Sequence, residues 1–309
     1  MTAKKQAADT AAEDPKGTAV AAAQQTALAE DLASISVVDD SGAGAENVTL
    51  DDMALPFLKL TQALNDELKK QKSAYIEGLK EGDFFNSVTR AIYPGEAGLY
   101  CVPAHYERKF LEWGPERGDG FFGEHPETIM KQVTKDGFRN LLPNGNIIVP
   151  TATWYMLQYD PLTGSVAPAV VALASTQLKK SRYLVTNLRS LELTAKGRKY
   201  TPAFFYNVLH ITSVPEGNKA HDWMGWRFDI VGSLLTVGDD GVPTGNGKVT
   251  VGGKSVEAKD GVSIYKRAKK LHDDAIAGIV KTQQPDEDAA TGQAIGAGED
   301  DEAGEEVPF

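Results

Sequence analysis

Short β-prone runs separated by glycine and proline make up most of the middle of the chain. They lie at residues 84–88, 98–102 and 147–149. Residues 151–159 and 166–174 are two longer apolar runs on either side of Asp-Pro-Leu-Thr-Gly at residues 160–164, which is a typical turn sequence. The pattern predicts a set of short strands, and it predicts that the two longer runs pair as a hairpin.

Two segments have apolar residues at the spacing of a helix that packs on one face. Residues 175–193 contain no glycine or proline, and their apolar positions include Leu178, Leu184, Val185, Leu188 and Leu191. Residues 263–280 show a similar pattern with Ile264, Ala268, Leu271, Ala275 and Ile279. We therefore predict two helices, and two more strands at residues 203–214 and 226–237 between them.

These elements predict a β-rich α+β domain. The most economical architecture is a small barrel of the oligonucleotide-binding type (an OB-like barrel) with insertions, although a sandwich of two sheets has the same sequence pattern. Residues 61–72 fit either a helix or a loop.

Charge is distributed unevenly along the 309 residues, whose net charge is -11. Residues 1–48 contain three lysines, eight acidic residues and no aromatic residue, and residues 286–309 contain nine acidic residues and no lysine or arginine. Removing these contributions of -5 and -9 leaves +3 for residues 49–285. Because acidic polar segments bury too little apolar surface to offset ordering entropy, we predict disordered acidic ends, at residues 1–48 and 283–309, around one domain at residues 49–282.

Several protein classes fit the sequence poorly. No apolar run reaches the roughly 18 residues that cross a membrane, and no apolar stretch follows Lys4 and Lys5 as a secretory signal requires. The single cysteine, Cys101, argues against a disulfide framework and a cysteine-based metal cluster, and we expect it to be a small buried residue. We expect a cytoplasmic location, in the host cytoplasm if a phage encodes the protein.

Enzyme motifs do not appear in the sequence. The five histidines show no paired metal-binding spacing, and neither a phosphate-binding loop nor a serine-nucleophile motif occurs. Acidic residues at Asp222, Asp229, Asp239 and Asp240 are candidates for holding Mg²⁺ in a nuclease, but loop carboxylates are usually just solvated. We expect no catalytic activity, no cofactor and no metal site.

The last residues of the chain carry the most specific signal. The acidic stretch ends in Glu305, Glu306, Val307, Pro308 and Phe309, and this sequence resembles the C-terminal tip of bacterial single-stranded DNA-binding proteins. Acidic tails with a terminal aromatic residue also recur in bacteriophage single-stranded DNA-binding proteins. The resemblance implies a protein of this class whose tail recruits replication or recombination proteins, such as a polymerase, a helicase or primase, or a nuclease.

The chemistry of this tail suits docking. Phe309 offers an apolar ring and a carboxylate on one residue, Pro308 lowers the ordering cost, and the neighbouring acids accelerate encounter with basic surfaces. On its tether the tail can also compete with DNA for a basic groove. An acidic tail that served solubility alone would gain nothing from a terminal phenylalanine.

Candidate DNA-binding residues are predicted from cations and aromatic residues, which bind phosphates and bases respectively in non-specific single-strand binders. Residues 179–199 hold seven cations and a single acid, Glu192, and Tyr183 lies among them. We predict that these cations contact phosphates, whereas the aromatic residues at 204–206 fit a core strand better. The cations are Lys179, Lys180, Arg182, Arg189, Lys196, Arg198 and Lys199.

A second patch lies at residues 105–113. In this patch we predict that Arg108 and Lys109 line a groove while Tyr106 or Trp113 stacks on a base, although Trp113 fits a core position equally well. Basic residues at 266–270 are more typical of a solvated helix face.

Residues 173–182 also resemble segments of bacteriophage proteins from replication modules. Taken together, these features predict a protein that coats single-stranded DNA without sequence preference and recruits partners through its tail. We expect no membrane partner, and the sequence is compatible with a monomer or a homo-oligomer. The alternative is a structural or interaction protein of the phage virion with flexible acidic ends.

Overall fold

Most of the predicted apolar runs form strands, and ten strands join in one sheet whose pairings are antiparallel. The computed structural model describes residues 43–45, 55–116, 119–219 and 221–280. From residue 55 onward the described residues belong to one compact unit. The acidic segments at 1–48 and 283–309, which were predicted to be disordered, lie outside the described residues except for 43–45.

The strands and helices have the following bounds. The strands are β1 Leu58–Leu60, β2 Phe84–Asn86, β3 Ile92–Tyr93, β4 Leu99–Trp113, β5 Phe121–His125, β6 Thr134–Asp136, β7 Arg139–Leu141, β8 Ile147–Tyr159, β9 Val166–Ala174, β10 Leu193–Ala195, β11 Arg198–Tyr200, β12 Asn207–Gly217, β13 Asp222–Ser233, β14 Leu235–Val237, β15 Pro243–Asn246, β16 Lys248–Val251 and β17 Lys254–Glu257. The α-helices are α1 Leu178–Ser190 and α2 Gly261–Ile276. Short 3-10 turns occupy Asp66–Leu68, Glu127–Lys131, Ser175–Gln177 and Phe204–Tyr206.

The ten-stranded sheet is organised around β4 and β8. Its order is β17-β16-β13-β12-β4-β8-β7-β6, with β5 paired to β4 and β9 paired to β8. The predicted hairpin is confirmed, because β8 and β9 pair from Thr151 with Ala174 to Tyr159 with Val166. Three smaller sheets contain β1-β2-β3, β10-β11 and β14-β15. The structure is thus β-rich with two α-helices among the described residues, as the sequence predicted for the fold class.

Two hydrophobic clusters lie on opposite faces of the sheet, because successive strand residues point to opposite sides. Trp154 and Met156 belong to the cluster that α1 covers with Leu184 and Leu188. Tyr155 on the same strand belongs to the other cluster, which α2 covers with Ile264, Ala268 and Leu271. Each helix therefore seals one face of the same strands.

The outer edge of β13 is closed by side chains instead of a full-length partner strand. The amide of Gln62 donates to the carbonyl of Met224 at 2.8 Å and accepts from its N–H at 2.9 Å. Two residues further on, the N–H of Trp226 donates to Oε1 of Gln177 at 3.1 Å. These glutamines satisfy backbone groups that would otherwise lie exposed on a sheet edge.

Several predicted boundaries were wrong. The strand expected at 203–214 begins only at Asn207, because Phe204–Tyr206 form a 3-10 turn in which the N–H of Tyr206 bonds to the carbonyl of Ala203. The run at 98–102 continues as β4 to Trp113, because β8 pairs with it over that whole length. The strand expected at 226–237 is divided after Ser233, where Leu234 bonds instead to Tyr206 and Gly247.

Candidate nucleic-acid interface

Helix α1 has a buried face and a charged face. Ser181, Leu184 and Leu188 are buried against the strands. On a helix of 3.6 residues per turn, Lys179, Arg182 and Arg189 fall within an arc of about 80° on the side away from these three residues. All three cations are exposed, and no ion pair links them to another residue in the described part of the chain. We call these three residues the α1 basic face.

Two other cations of the predicted segment have acidic partners. Lys180 forms an ion pair with Glu216 of β12. Lys199 of β11 pairs with Glu192 at 2.6 Å, and both side chains are largely exposed. Exposed pairs of this kind contribute little to stability and exchange readily with solvent. Of the seven predicted cations, three thus form the α1 basic face and two have acidic partners.

Glu216 is the centre of a polar network at the start of α1. Its Oε2 accepts hydrogen bonds from Gln177 Nε2 and Trp223 Nε1, each at 3.1 Å, in addition to the ion pair with Lys180. Partial burial alone would raise the pKa of Glu216, but the Lys180 and Gln177 contacts outweigh it and hold the pKa below its ordinary value. The network fixes the first turn of α1 on the β12–β13 hairpin.

The β10–β11 hairpin carries the remaining predicted cations after α1. Lys196 occupies its turn with a positive φ of 52°, and its N–H bonds to the carbonyl of Asp239 at 2.7 Å. Lys196 and Arg198 are exposed, and so is Tyr200 at 37%. The hairpin therefore adds two exposed cations after the helix.

The structure brings the second predicted patch next to α1 through one buried residue. The ring of Tyr106 packs on that of Trp154 with 4.9 Å between centroids. The indole Nε1 of Trp154 donates to Ser181 Oγ of α1 at 2.9 Å. Arg108 follows on the same face of β4, is exposed, and lies 5.4 Å from the ring centroid of Phe110. Tyr106 and Arg108 thus adjoin the helix that presents the α1 basic face.

Two members of that patch are placed differently from their predicted roles. Lys109 is held by Glu124 at 2.9 Å and Glu107 at 3.5 Å, with 11% of its side chain exposed. Burial would lower the pKa of Lys109, but the hydrogen bond to Glu124 and the neighbouring carboxylates raise it, so the ammonium stays charged and paired. Trp113 is 6% exposed and packs on Phe121, which makes it a core residue with no open face for a base.

The sequence did not reveal the roles of Trp154 and Gln177, which hold α1 in place on the sheet. Both are buried, and their side chains tie α1 to the sheet. Trp154 lies in a run that was recognised as a strand, but only the pairing of β4 with β8 shows which face it occupies. The role of Gln177 could not be predicted, because a buried and an exposed glutamine before a helix give the same sequence pattern.

The described residues contain no cluster of three or more histidine, cysteine or acidic side chains with the geometry to hold a metal ion. None of the helices in that part of the chain is long and apolar enough to span a membrane. The predicted docking residues Glu305, Glu306, Val307, Pro308 and Phe309 lie outside the described residues.

Comparison with protein families gives a match over most of the chain. The model of the Pam3 phage gp34-like protein family matches residues 23–281. No curated protein and no solved structure matches the chain. Since the family model covers most of the sequence, this chain belongs to the Pam3 phage gp34-like protein family.

Proposed function

We propose that this phage protein binds single-stranded DNA without sequence preference, and that it acts in replication or recombination. The α1 basic face and the adjoining Tyr106 and Arg108 form the binding surface. The observation that carries the proposal is the row of exposed cations on α1 without acidic partners in the described structure. Rows of unpaired cations beside aromatic rings suit a strand whose phosphates and bases are both exposed.

The strand path supports the same proposal. Five strands follow the order β9-β8-β4-β12-β13, and α1 joins the third of them in sequence to the fourth. Barrels of the oligonucleotide-binding type are built from five strands in a partly open Greek-key arrangement. Residues on either side of β1 contact both ends of the path, since Phe57 bridges to Val170 of β9 and Gln62 bonds to Met224 of β13. We propose that the domain is an OB-like barrel with a long insertion between β4 and β8.

The distribution of charge favours a second role for the C-terminal residues. The nine acids of residues 286–309 follow a region that is net basic by subtraction. We propose that this tail docks replication or recombination proteins through Val307, Pro308 and Phe309. In the absence of a partner it competes with DNA for the α1 basic face, because a tethered acidic segment has a high effective concentration there.

A fluorescence anisotropy titration tests the proposal. A labelled oligo-dT strand is titrated at about 50 mM salt, where electrostatic binding is strong, with the full chain and with a variant that lacks residues 286–309. We expect dissociation constants in the micromolar range or tighter, and weaker binding to a duplex of equal length. If neither form binds, DNA binding is refuted and the alternative role in the phage virion gains support.

A further inference from the structure

Strand pairing directs a second exposed aromatic residue, Phe138, towards the start of α1. Strand β4 pairs with β8 from Ile147 to Gln158 and therefore occupies one edge of β8 completely. Strands β7 and β9 must share the other edge. β7 meets this edge at Leu141 opposite Ile147, and β9 ends at Ala174 opposite Thr151.

The two strands nearly meet end to end on this edge. The side chain of Asn140 bonds to the carbonyl of Ile148 at 3.1 Å, which holds this residue of β7 beside β8. In the register set by Leu141 opposite Ile147, Arg139 would lie opposite Val149, about two residues or roughly 7 Å along β8 from Thr151, the partner of Ala174. Ala174 leads directly into Ser175–Gln177 and the first turn of α1. This register directs the β6–β7 turn towards the helix start that carries Lys179.

The β6–β7 turn presents its aromatic residue outward. Asp136 pairs with Arg139, which leaves Gly137 and Phe138 as a two-residue turn, and Gly137 has a positive φ of 56°. A glycine at the first position of such a turn is the usual way to form a tight hairpin. Phe138 is 58% exposed and belongs to none of the hydrophobic clusters of the described residues. The turn fixes the position of Phe138, but its ring does not contribute to the hydrophobic core.

Phe138 and Tyr183 each have a cation near the ring. The guanidinium of Arg139 lies 6.0 Å from the centroid of Phe138, and Nζ of Lys179 lies 5.9 Å from that of Tyr183. Tyr183 is 56% exposed, almost as much as Phe138. Neither Arg139 nor Lys179 forms an ion pair with any residue that the structure describes. Each pair combines a ring for a base with a cation for the neighbouring phosphate.

We infer that Phe138 and Arg139 form a second stacking position on the DNA surface, so that one strand passes from Tyr183 on α1 to the β6–β7 turn. This inference rests on the proposed single-strand binding and names residues that receive bases within it. Phe122 provides a natural comparison. It is 60% exposed, but it belongs to β5, which pairs with the edge of β4 that faces away from β8.

The test compares Phe138→Ala with Phe122→Ala on two ligands. One is labelled oligo-dT, and the other is an abasic strand with the same number of phosphates. Because one stacked base is lost, the Phe138→Ala variant should bind oligo-dT about 5- to 150-fold more weakly than the original protein. Binding to the abasic strand should stay nearly unchanged, and Phe122→Ala should match the original protein on both ligands. Phe138→Leu keeps an apolar side chain and should lose as much affinity as Phe138→Ala.

Two results separate failure of this inference from failure of the proposed function. If the original protein binds oligo-dT and Phe138→Ala binds as tightly as Phe122→Ala, the stacking position is refuted while DNA binding stands. If the original protein does not bind oligo-dT, the proposed function fails and this inference fails with it. Arg139→Ala adds a separate readout, since losing one phosphate contact should reduce the salt slope of single-strand binding by about 0.7.

Discussion

The indole Nε1 of Trp154 donates a hydrogen bond to Ser181 Oγ at 2.9 Å, and both residues are buried. Trp154 belongs to β8 and Ser181 to the face of α1 that packs on the sheet. The ring of Tyr106 packs against the ring of Trp154. This single bond therefore fixes the position of the helix relative to the aromatic residue with which we propose it shares a DNA strand.

Ser181→Ala should destabilise the domain by about 1–3 kcal/mol, because it leaves a buried N–H without an acceptor. Trp154→Phe should cost a similar amount or more, since it removes the donor and part of the packing volume. Urea unfolding followed by circular dichroism measures both. Thr186→Ala on the exposed side of α1 is the control, and it should change the free energy of unfolding by no more than about 0.5 kcal/mol. Equal stability of Ser181→Ala and Thr186→Ala would show that the bond contributes nothing.

Glu216 should make stability depend on pH in the acid range. Its pKa in the folded protein lies below the ordinary value of 4.5, so its ionised form stabilises the fold above that value. This contribution is lost as the pH falls through 4.5 towards the lower folded pKa. Glu216→Gln should lower the free energy of unfolding at pH 7 by about 1 kcal/mol, the size of a typical hydrogen-bond contribution. It should also flatten the decline in stability as the pH falls below 4.5. An unchanged pH profile in urea titrations of this variant would contradict the role of the network.

Deleting residues 286–309 should strengthen binding to oligo-dT several-fold, because nine negative charges and a competitor for the cations are removed. The gain should shrink as salt rises, since screening weakens both the competition and the binding. Anisotropy titrations of the two forms at low and high salt measure this difference. Weaker or equal binding by the shortened form would argue against competition.

Removal of Phe309 alone should leave DNA affinity unchanged while partner capture is lost. The acidic residues stay in place, but the apolar anchor of the proposed docking residues is gone. Pull-downs from host lysate with both forms, compared band by band, show whether any captured replication protein depends on Phe309. Identical capture by both forms would refute the docking role.

The sequence predicted the elements of the fold better than their ends. The β8–β9 hairpin follows from two apolar runs on either side of a turn, and α1 follows from the spacing of Leu184 and Leu188. Local patterns of this kind carry both signals. The length of β4 could not be predicted, because its second half mixes charged and aromatic residues without a strand-like alternation, and its strand form depends on pairing with β8.

The candidate site was predictable only in part, for a similar reason. The density of cations at 179–199 is visible in the sequence, but which of them have acidic partners depends on contacts such as Lys180 with Glu216, 36 positions away. Trp113 and Tyr106 look alike as aromatic residues near cations, and only their places on β4 distinguish a core residue from one beside α1. The register of β7 and β9 on β8, which places Phe138, has no local signature.

The salt dependence of poly-dT binding tests the central claim most directly. Labelled poly-dT is titrated across a salt series with the original protein, with Arg182→Ala combined with Arg189→Ala, and with Lys269→Ala combined with Lys270→Ala. The last two lysines lie on α2 and pair with Asp273 and Asp274, so they serve as matched controls. Loss of two phosphate contacts should reduce the slope of log affinity against log salt by about 1.4 in the α1 variant. The control should keep the original slope. Equal slopes in all three proteins, or no binding at low salt, would contradict a DNA surface on α1.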